Sequence, residues 1–494
     1  MLNFAKTVRR NINMHKSSLR QINSIVLGLL LTSSLSLSQL KLTDNQADYL
    51  IVTPSEFVPI LEDFADWREK KNLNVEIVLL SEIYSEFPDS TKPNSIRSFV
   101  SYSLTYWSDP KPKYLLLVGS TRLLPSYKVI SQFYNVPGLN EDSVSVDEWY
   151  SINQHESDTK PDISLGRFPV DNEHELLNVI NKTMYFEDSL IIQNYQSDIL
   201  FLTDKTDSLY YQNKVNALID NYFPEEINST KIFSGQDSAI SITREKFFKG
   251  INDGTIFLTY YGEGLSNFWS KYNLFSVDDI DSLNNNKSFF VYTSASCKQS
   301  YDFPSDSSII TKLLISESKG TVASVASSGM IYNTQTDFLS SFFKQLFENP
   351  ENPIGFSFLN AKLYPDYNIY NEHPSGYQRK FTLLGDPALK LPLNVIVNIE
   401  KEKEAFPTYY LLSQNYPNPF NPTTTIVYNI PFSNHVTLEI FNILGQRIRK
   451  LVDDFQYEGN YKITFDASEL PTGVYIYRLK SGSYAESKKM LILK

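Results

Sequence analysis

One alternation constrains this chain more than any other feature. Short uninterrupted apolar runs are followed, again and again, by stretches with apolar residues at helical spacing. Tyr49-Leu50-Ile51-Val52 reads as a buried strand, and Ile60, Leu61, Phe64 and Trp67 then recur on one helical face. Val75 to Leu80 is the next strand, Ile96, Phe99, Val100 and Leu104 the next helical face, and Tyr114 to Val118 a strand that ends in Gly119-Ser120. The pattern restarts at Ile199–Leu202, with a helical run near 209–222 and strands at 255–260, 289–292 and 321–325. Such alternation implies right-handed βαβ units and mostly parallel sheets. The expected body is therefore two α/β subdomains, 47–190 and 195–395, each with its own small sheet.

Beyond the charged linker expected at 396–407, which includes Glu400-Lys401-Glu402-Lys403-Glu404, the rhythm changes. Val436, Leu438 and Ile440 alternate with Thr437 and Glu439, and glycines at 445, 459, 473 and 482 separate the runs. Residues 408–494 thus read as a small antiparallel β-sandwich. At the other end, Arg9, Arg10, Lys16 and Arg20 precede the apolar run Ile25–Leu31, and small residues follow it up to Ser38. This is the layout of a secretory signal peptide, expected over 1–38 with cleavage after Ser38 and a translation start at Met14. The apolar run is too short for a transmembrane anchor.

Charge and cysteine usage exclude several classes. A formal net charge of -11 argues against a nucleic-acid partner. The single cysteine, Cys297, excludes a disulfide framework and a cysteine-rich zinc site. The five histidines, His15, His155, His174, His373 and His435, show no metal-ligand spacing.

Ligands of open α/β sheets gather beyond the carboxyl ends of the strands. Two segments sit there: Tyr261-Gly262-Glu263-Gly264 after one strand and Ser294-Ala295-Ser296-Cys297 after another. Flanking glycines make a tight turn that presents Glu263. If the two strands are neighbours, Glu263 and Cys297 share one rim. A buried apolar thiol and a solvated loop acid are the alternatives at these positions.

Several stretches together resemble the gingipain-type cysteine peptidase family, with its caspase-like α/β arrangement. They are Val118-Gly119-Ser120, Asp147-Glu148-Trp149-Tyr150, Pro161 to Pro169, Lys182 with Tyr185, Tyr261 to Gly264, Ser296-Cys297 and Leu384 to Leu389. The resemblance implies that Cys297 is the nucleophile of a secreted cysteine-type peptidase acting on proteins or peptides. It also implies a histidine in the preceding Gly-X-Gly turn, where this chain has Glu263. Transferring a thiol proton to an unperturbed imidazole spans about 2 pK units, roughly 2.7 kcal/mol; to an unperturbed glutamate it spans about 4 units, roughly 5.7 kcal/mol. A catalytically degenerate surface or secreted binding protein is therefore the alternative. His155 and His373 are loop histidines that could stand in. Relatives use acids near Asp147, Glu148, Asp158 and Asp162 for calcium or for a basic substrate side chain. No other cofactor is expected.

The sandwich carries Gln414 to Pro422, Asn442-Ile443-Leu444-Gly445-Gln446 and Leu470-Pro471-Thr472-Gly473-Val474-Tyr475. Together these resemble the type A C-terminal sorting domain of the type IX secretion system. That implies export through the periplasm to the outer surface or medium, with the secretion machinery as partner.

Overall fold

The computed structural model describes residues 39–131, 142–155, 160–188, 197–225, 227–234, 239–286, 288–294, 299–302, 304, 307–329, 338–363, 380–393, 410–431, 434–456, 459–482 and 484–493. The proposed signal segment 1–38 and the linker 396–407 lie outside them. Two compact units are present, one ending at Asn398 and the other beginning at Ile399.

The first unit contains strands β1 (Tyr49–Thr53), β2 (Val75–Leu79), β3 (Tyr114–Val118), β4 (Tyr127–Ser131), β5 (Asp142–Val146) and β6 (Ser164–Phe168). Then come β7 (Ser197–Thr203), β8 (Ser229–Phe233), β9 (Thr255–Tyr261), and the short β10 (Gly264–Leu265), β11 (Phe268–Trp269) and β12 (Phe275–Ser276). The last three are β13 (Phe290–Ser294), β14 (Thr321–Ser327) and β15 (Phe381–Gly385). Ten of these form one sheet, in the order β2-β1-β3-β6-β15-β14-β13-β9-β7-β8.

Both faces of this sheet are covered, which is why its strands read as continuous apolar runs. Tyr49 and Ile51 face a core shared with Leu61, Phe64 and Trp67 of α1 (Val58–Glu69). Leu50 and Val52 face the opposite core, with Phe87 and with Ile96 and Phe99 from the helix at Lys92–Tyr106. Burying each such aliphatic side chain stabilises by about 1.5–3 kcal/mol. Thr91 fixes the start of the second helix by accepting from Asn94 N at 3.3 Å, a cap that contributes about 1 kcal/mol.

The two expected small sheets are in fact joined. β6 and β15 pair in parallel through Leu384 and Arg167, whereas β15 and β14 are antiparallel. The parallel blocks β2-β1-β3-β6 and β14-β13-β9-β7-β8 therefore run in opposite directions. The join depends on close main-chain approach: a Cβ at Gly166 would lie 2.2 Å from Gly385 O. A buried cluster forms directly after β15. Asp386 Oδ1 accepts from Tyr49 OH and Ala388 N, both at 2.8 Å, and Oδ2 accepts from Arg68 Nε at 2.9 Å. Arg68 also pairs with Glu187 at 3.0 Å. Asp386 thus ties the end of the body to its first strand and helix.

Before β14 lies a short helix, Ile309–Ile315, with Ser308 at its N-cap. The chain then turns through Gly320 at φ +79° into β14.

The second unit holds β16 (Leu411–Leu412), β17 (Thr423–Ile430), β18 (Asn434–Asn442), β19 (Arg447–Gln456), β20 (Gly459–Asp466), β21 (Gly473–Ser481) and β22 (Tyr484–Ile492). The antiparallel sheets β16-β17-β20 and β19-β18-β21-β22 enclose Ile426, Tyr428, Val436, Leu438, Ile440 and Tyr477. The Asn-Pro-rich opening is anchored by Asn415, whose N–H donates to Tyr477 OH at 2.9 Å and whose Nδ2 donates to Thr424 Oγ1 at 2.9 Å.

Candidate functional site

β9 and β13 are parallel neighbours, with Tyr260 opposite Ser294. In sequence, Glu263 comes three residues after Tyr260 and Cys297 three residues after Ser294. Cys297 itself lies outside the described residues, as do Asp158 and His373. Beyond it, Gln299 N donates to Ser327 O at 2.8 Å and Gln299 Nε2 to Leu265 O at 3.1 Å. Ser300 N donates to Ser266 Oγ at 3.0 Å. The chain after Cys297 is thereby tied both to β14 and to the turn that carries Glu263.

That turn is rigidly built. Glu263 is exposed, but its backbone is held on both sides. Its carbonyl accepts from Ser270 N at 2.7 Å and Tyr260 OH at 2.8 Å, and its N–H donates to Asp204 Oδ2 at 3.2 Å. Asp204 is fully buried. Its Oδ1 accepts from Ser270 Oγ at 2.6 Å and Thr206 N at 3.2 Å, while its own N–H donates to Tyr261 O at 2.8 Å. Gly262 is required here, because a Cβ would lie 2.3 Å from Tyr260 OH and 2.4 Å from Asp204 Cβ. Beneath the turn, Trp269 stacks between Tyr260 at 4.7 Å and Tyr292 at 5.1 Å, joining β9, β11 and β13.

Asp147, Glu148 and Asp162 have other partners. Asp147 is buried and accepts from Arg167 Nε at 2.6 Å, Arg167 Nη2 at 2.8 Å and Ser126 Oγ at 2.5 Å. Ser126 also bonds Tyr301, four residues past Cys297, at 3.1 Å. Burial, and then the Asp147 carboxylate, push the Tyr301 hydroxyl well above its usual pKa. Glu148 forms a buried ion pair with Lys362, and Asp162 accepts from Asn153 N at 2.8 Å. Carboxylates already neutralised by arginine and lysine do not suit a calcium ion, which needs six or more oxygen ligands. Among the described residues, no group of three His, Cys, Asp or Glu side chains could hold a metal.

His155 is edge-on to Tyr106 at 5.6 Å, His174 is beside Asn178 on the helix Glu173–Asp188, and His435 lies in the second unit.

Asp204 and Arg167 were not singled out by role from sequence. Asp204 follows a buried strand directly, the one signal that could have marked it. Nothing in the sequence pairs Arg167 with Asp147.

A model described as Peptidase family C25 matches residues 42–392, nearly the whole α/β unit. The chain belongs to peptidase family C25. Residues 414–493 match the Secretion system C-terminal sorting domain, as the Asn-Pro and Gly-Val-Tyr segments implied. Gingipain R2 of Porphyromonas gingivalis (strain ATCC BAA-308 / W83) is 22% identical over 255 residues, 49% of this chain and 31% of that protein. This C25 chain therefore aligns with less than a third of that relative's length. The crystal structure of the Arg-specific cysteine proteinase gingipain R has the same fold, with a TM-score of 0.57, 15% identity, and coverage of 92% of this chain and 99% of that one. The complex of Porphyromonas gingivalis RgpB pro- and mature domains gives a TM-score of 0.56 at 16% identity, covering 90% of this chain and all of that one. With its sorting domain, this C25 member is a secreted or cell-surface, gingipain-like protein. Among the described residues no helix is long and apolar enough to cross a membrane.

Proposed function

We propose that the β9–β13 rim is the active site of a cysteine-type peptidase of low turnover, with Cys297 as nucleophile and Glu263 in the acid–base position. The carrying observation is the turn itself: an exposed carboxylate on a pinned backbone, beside the strand that leads to Cys297. A pinned position is what proton transfer to a leaving amine requires. Proteins or peptides are the substrates. A signal peptide over 1–38 starts export, and the C-terminal unit directs it through the type IX machinery.

A second reading has a specific observation behind it. The exposed carboxylate is a weak base for a thiol, and like charge disfavours a nearby thiolate. Under this reading the rim binds peptide chains without cutting them.

A thiol-reactive peptide probe, together with a peptide-hydrolysis assay, separates the two. Labelling that vanishes in Cys297→Ala, with measurable hydrolysis, supports the peptidase. Silence in the native chain with a gain in Glu263→His supports the binding protein. Neither labelling nor gain removes Cys297 and Glu263 from any shared site.

A further inference from the structure

In the second unit, the turn between β18 and β19 holds two large aliphatic side chains in solvent: Ile443 is 72% exposed and Leu444 is 79% exposed. The turn is not slack. Asn442 N donates to Gln446 O at 3.0 Å, and Asn442 Oδ1 accepts from Leu444 N and Gln446 N, each at 3.0 Å. Asn442 Nδ2 donates to Gln446 Oε1 at 2.8 Å, and Gly445 takes φ +78° to close the loop. Asn442 also pairs with Tyr475 of β21, which brings Val474, 43% exposed, to the same end of the sheet. Two segments far apart in sequence, 442–446 and 470–475, thus lie at the same end of the sheet. Arg447 and Arg449, both well exposed, flank it on β19. Their ion pairs with Glu439 and Glu469 are surface pairs, which contribute about 0–1 kcal/mol and leave the guanidinium groups able to take a second partner.

We infer that Ile443 and Leu444, with Val474 behind them, are the contact by which a protein of the export machinery reads this domain, through an apolar pocket rimmed by carboxylates. Adjacent exposed aliphatics on a rigid hairpin lose little conformational freedom when bound, which favours a docking knob. The basic flank selects an acidic rim. The inference rests on the C-terminal unit being a sorting address, so the experiment separates the two.

The full chain is expressed in a bacterium with a type IX system, and its extracellular and periplasmic amounts are compared for four forms. Ile443→Ser/Leu444→Ser should lower the extracellular amount at least tenfold and raise the periplasmic one, with unchanged thermal unfolding. Leu209→Ser, which removes an aliphatic 69% exposed on the first unit, should be exported like the native chain. A chain ending at Asn398 should stay in the periplasm. Normal export of that truncated chain would overturn the sorting reading and this inference with it. A retained truncation beside a freely exported double variant would overturn the hairpin contact alone. An equal loss in Leu209→Ser would overturn its specificity. Binding of the native chain, but not the double variant, to phosphatidylethanolamine–phosphatidylglycerol vesicles would make a lipid surface the occupant and overturn the protein partner.

Discussion

Replacing Arg167 by methionine should unfold the body far more easily than its position in the middle of a strand would suggest. Arg167 is fully buried, donates twice to Asp147, and also donates to Gly119 O at 2.6 Å and Leu124 O at 3.0 Å. Removing one partner of a buried ion pair costs about 3–5 kcal/mol, because the other charge stays behind uncompensated. Two carbonyls losing their donor add about 1 kcal/mol each. The expected loss is therefore about 5–7 kcal/mol, a large part of the stability of a typical domain. Adding Asp147→Asn removes the stranded charge and should restore at least half of the loss. The assay is urea unfolding followed by tryptophan fluorescence. All four tryptophans, Trp67, Trp107, Trp149 and Trp269, lie in the first unit, so the signal reports on that unit alone. A loss below about 1.5 kcal/mol for the single variant, or a double variant no better than the single one, would refute the argument.

Other perturbations follow the same logic. Lys182 is buried and donates to Leu313 O at 3.1 Å and Lys319 O at 2.9 Å, and burial holds its ammonium well below the usual lysine pKa. The unfolded chain binds that proton more tightly, so stability should rise with pH up to about 10. Urea midpoints for the native chain should climb relative to Lys182→Met between pH 6.5 and 9.5; parallel curves would count against it. Burial alone would raise the Asp302 carboxyl, but hydrogen bonds from Lys128 and Ser145 outweigh it and lower the pKa. Its contribution is present above about pH 4 and lost as pH falls through the folded value. The gap in urea midpoint between the native chain and Lys128→Met should accordingly be open at pH 6 and closed near pH 2. Asp204→Ala leaves two N–H groups and a hydroxyl without their acceptor. Hydrogen exchange across 261–270 should quicken at least tenfold, while Asp204→Asn, which keeps one acceptor oxygen, should lie between.

Much of the body was legible because its strands are buried on both faces. Runs such as Leu115-Leu116-Leu117 have no soluble alternative, and each expected run from 49 to 325 is a strand. The turn at Glu263 was legible because Gly262 and Gly264 bracket it. The join of the two blocks was not. β6 and β15 lie more than two hundred residues apart, and pairing between remote edges leaves no periodicity in either strand. The ion pairs were hidden for a similar reason. Asp147 and Glu148 cannot be told by local pattern from solvated loop acids until the fold supplies Arg167 and Lys362. Nothing local in Gly385-Asp386-Pro387 marks Asp386 as the partner of Arg68.

The position of β15 governs how this protein can be made. The last strand of the body to be synthesised occupies the interior of the sheet, between β6 and β14, and Asp386 just after it bonds the tyrosine that opens β1. Until residue 389 has been added, β6 and β14 each present a bare edge, and the Arg68 charge lacks its main counter-ion. The sheet therefore cannot be completed from the first half of the body alone. Exposed edges of this kind invite pairing with other chains, so adding β15 closes two aggregation-prone edges at once.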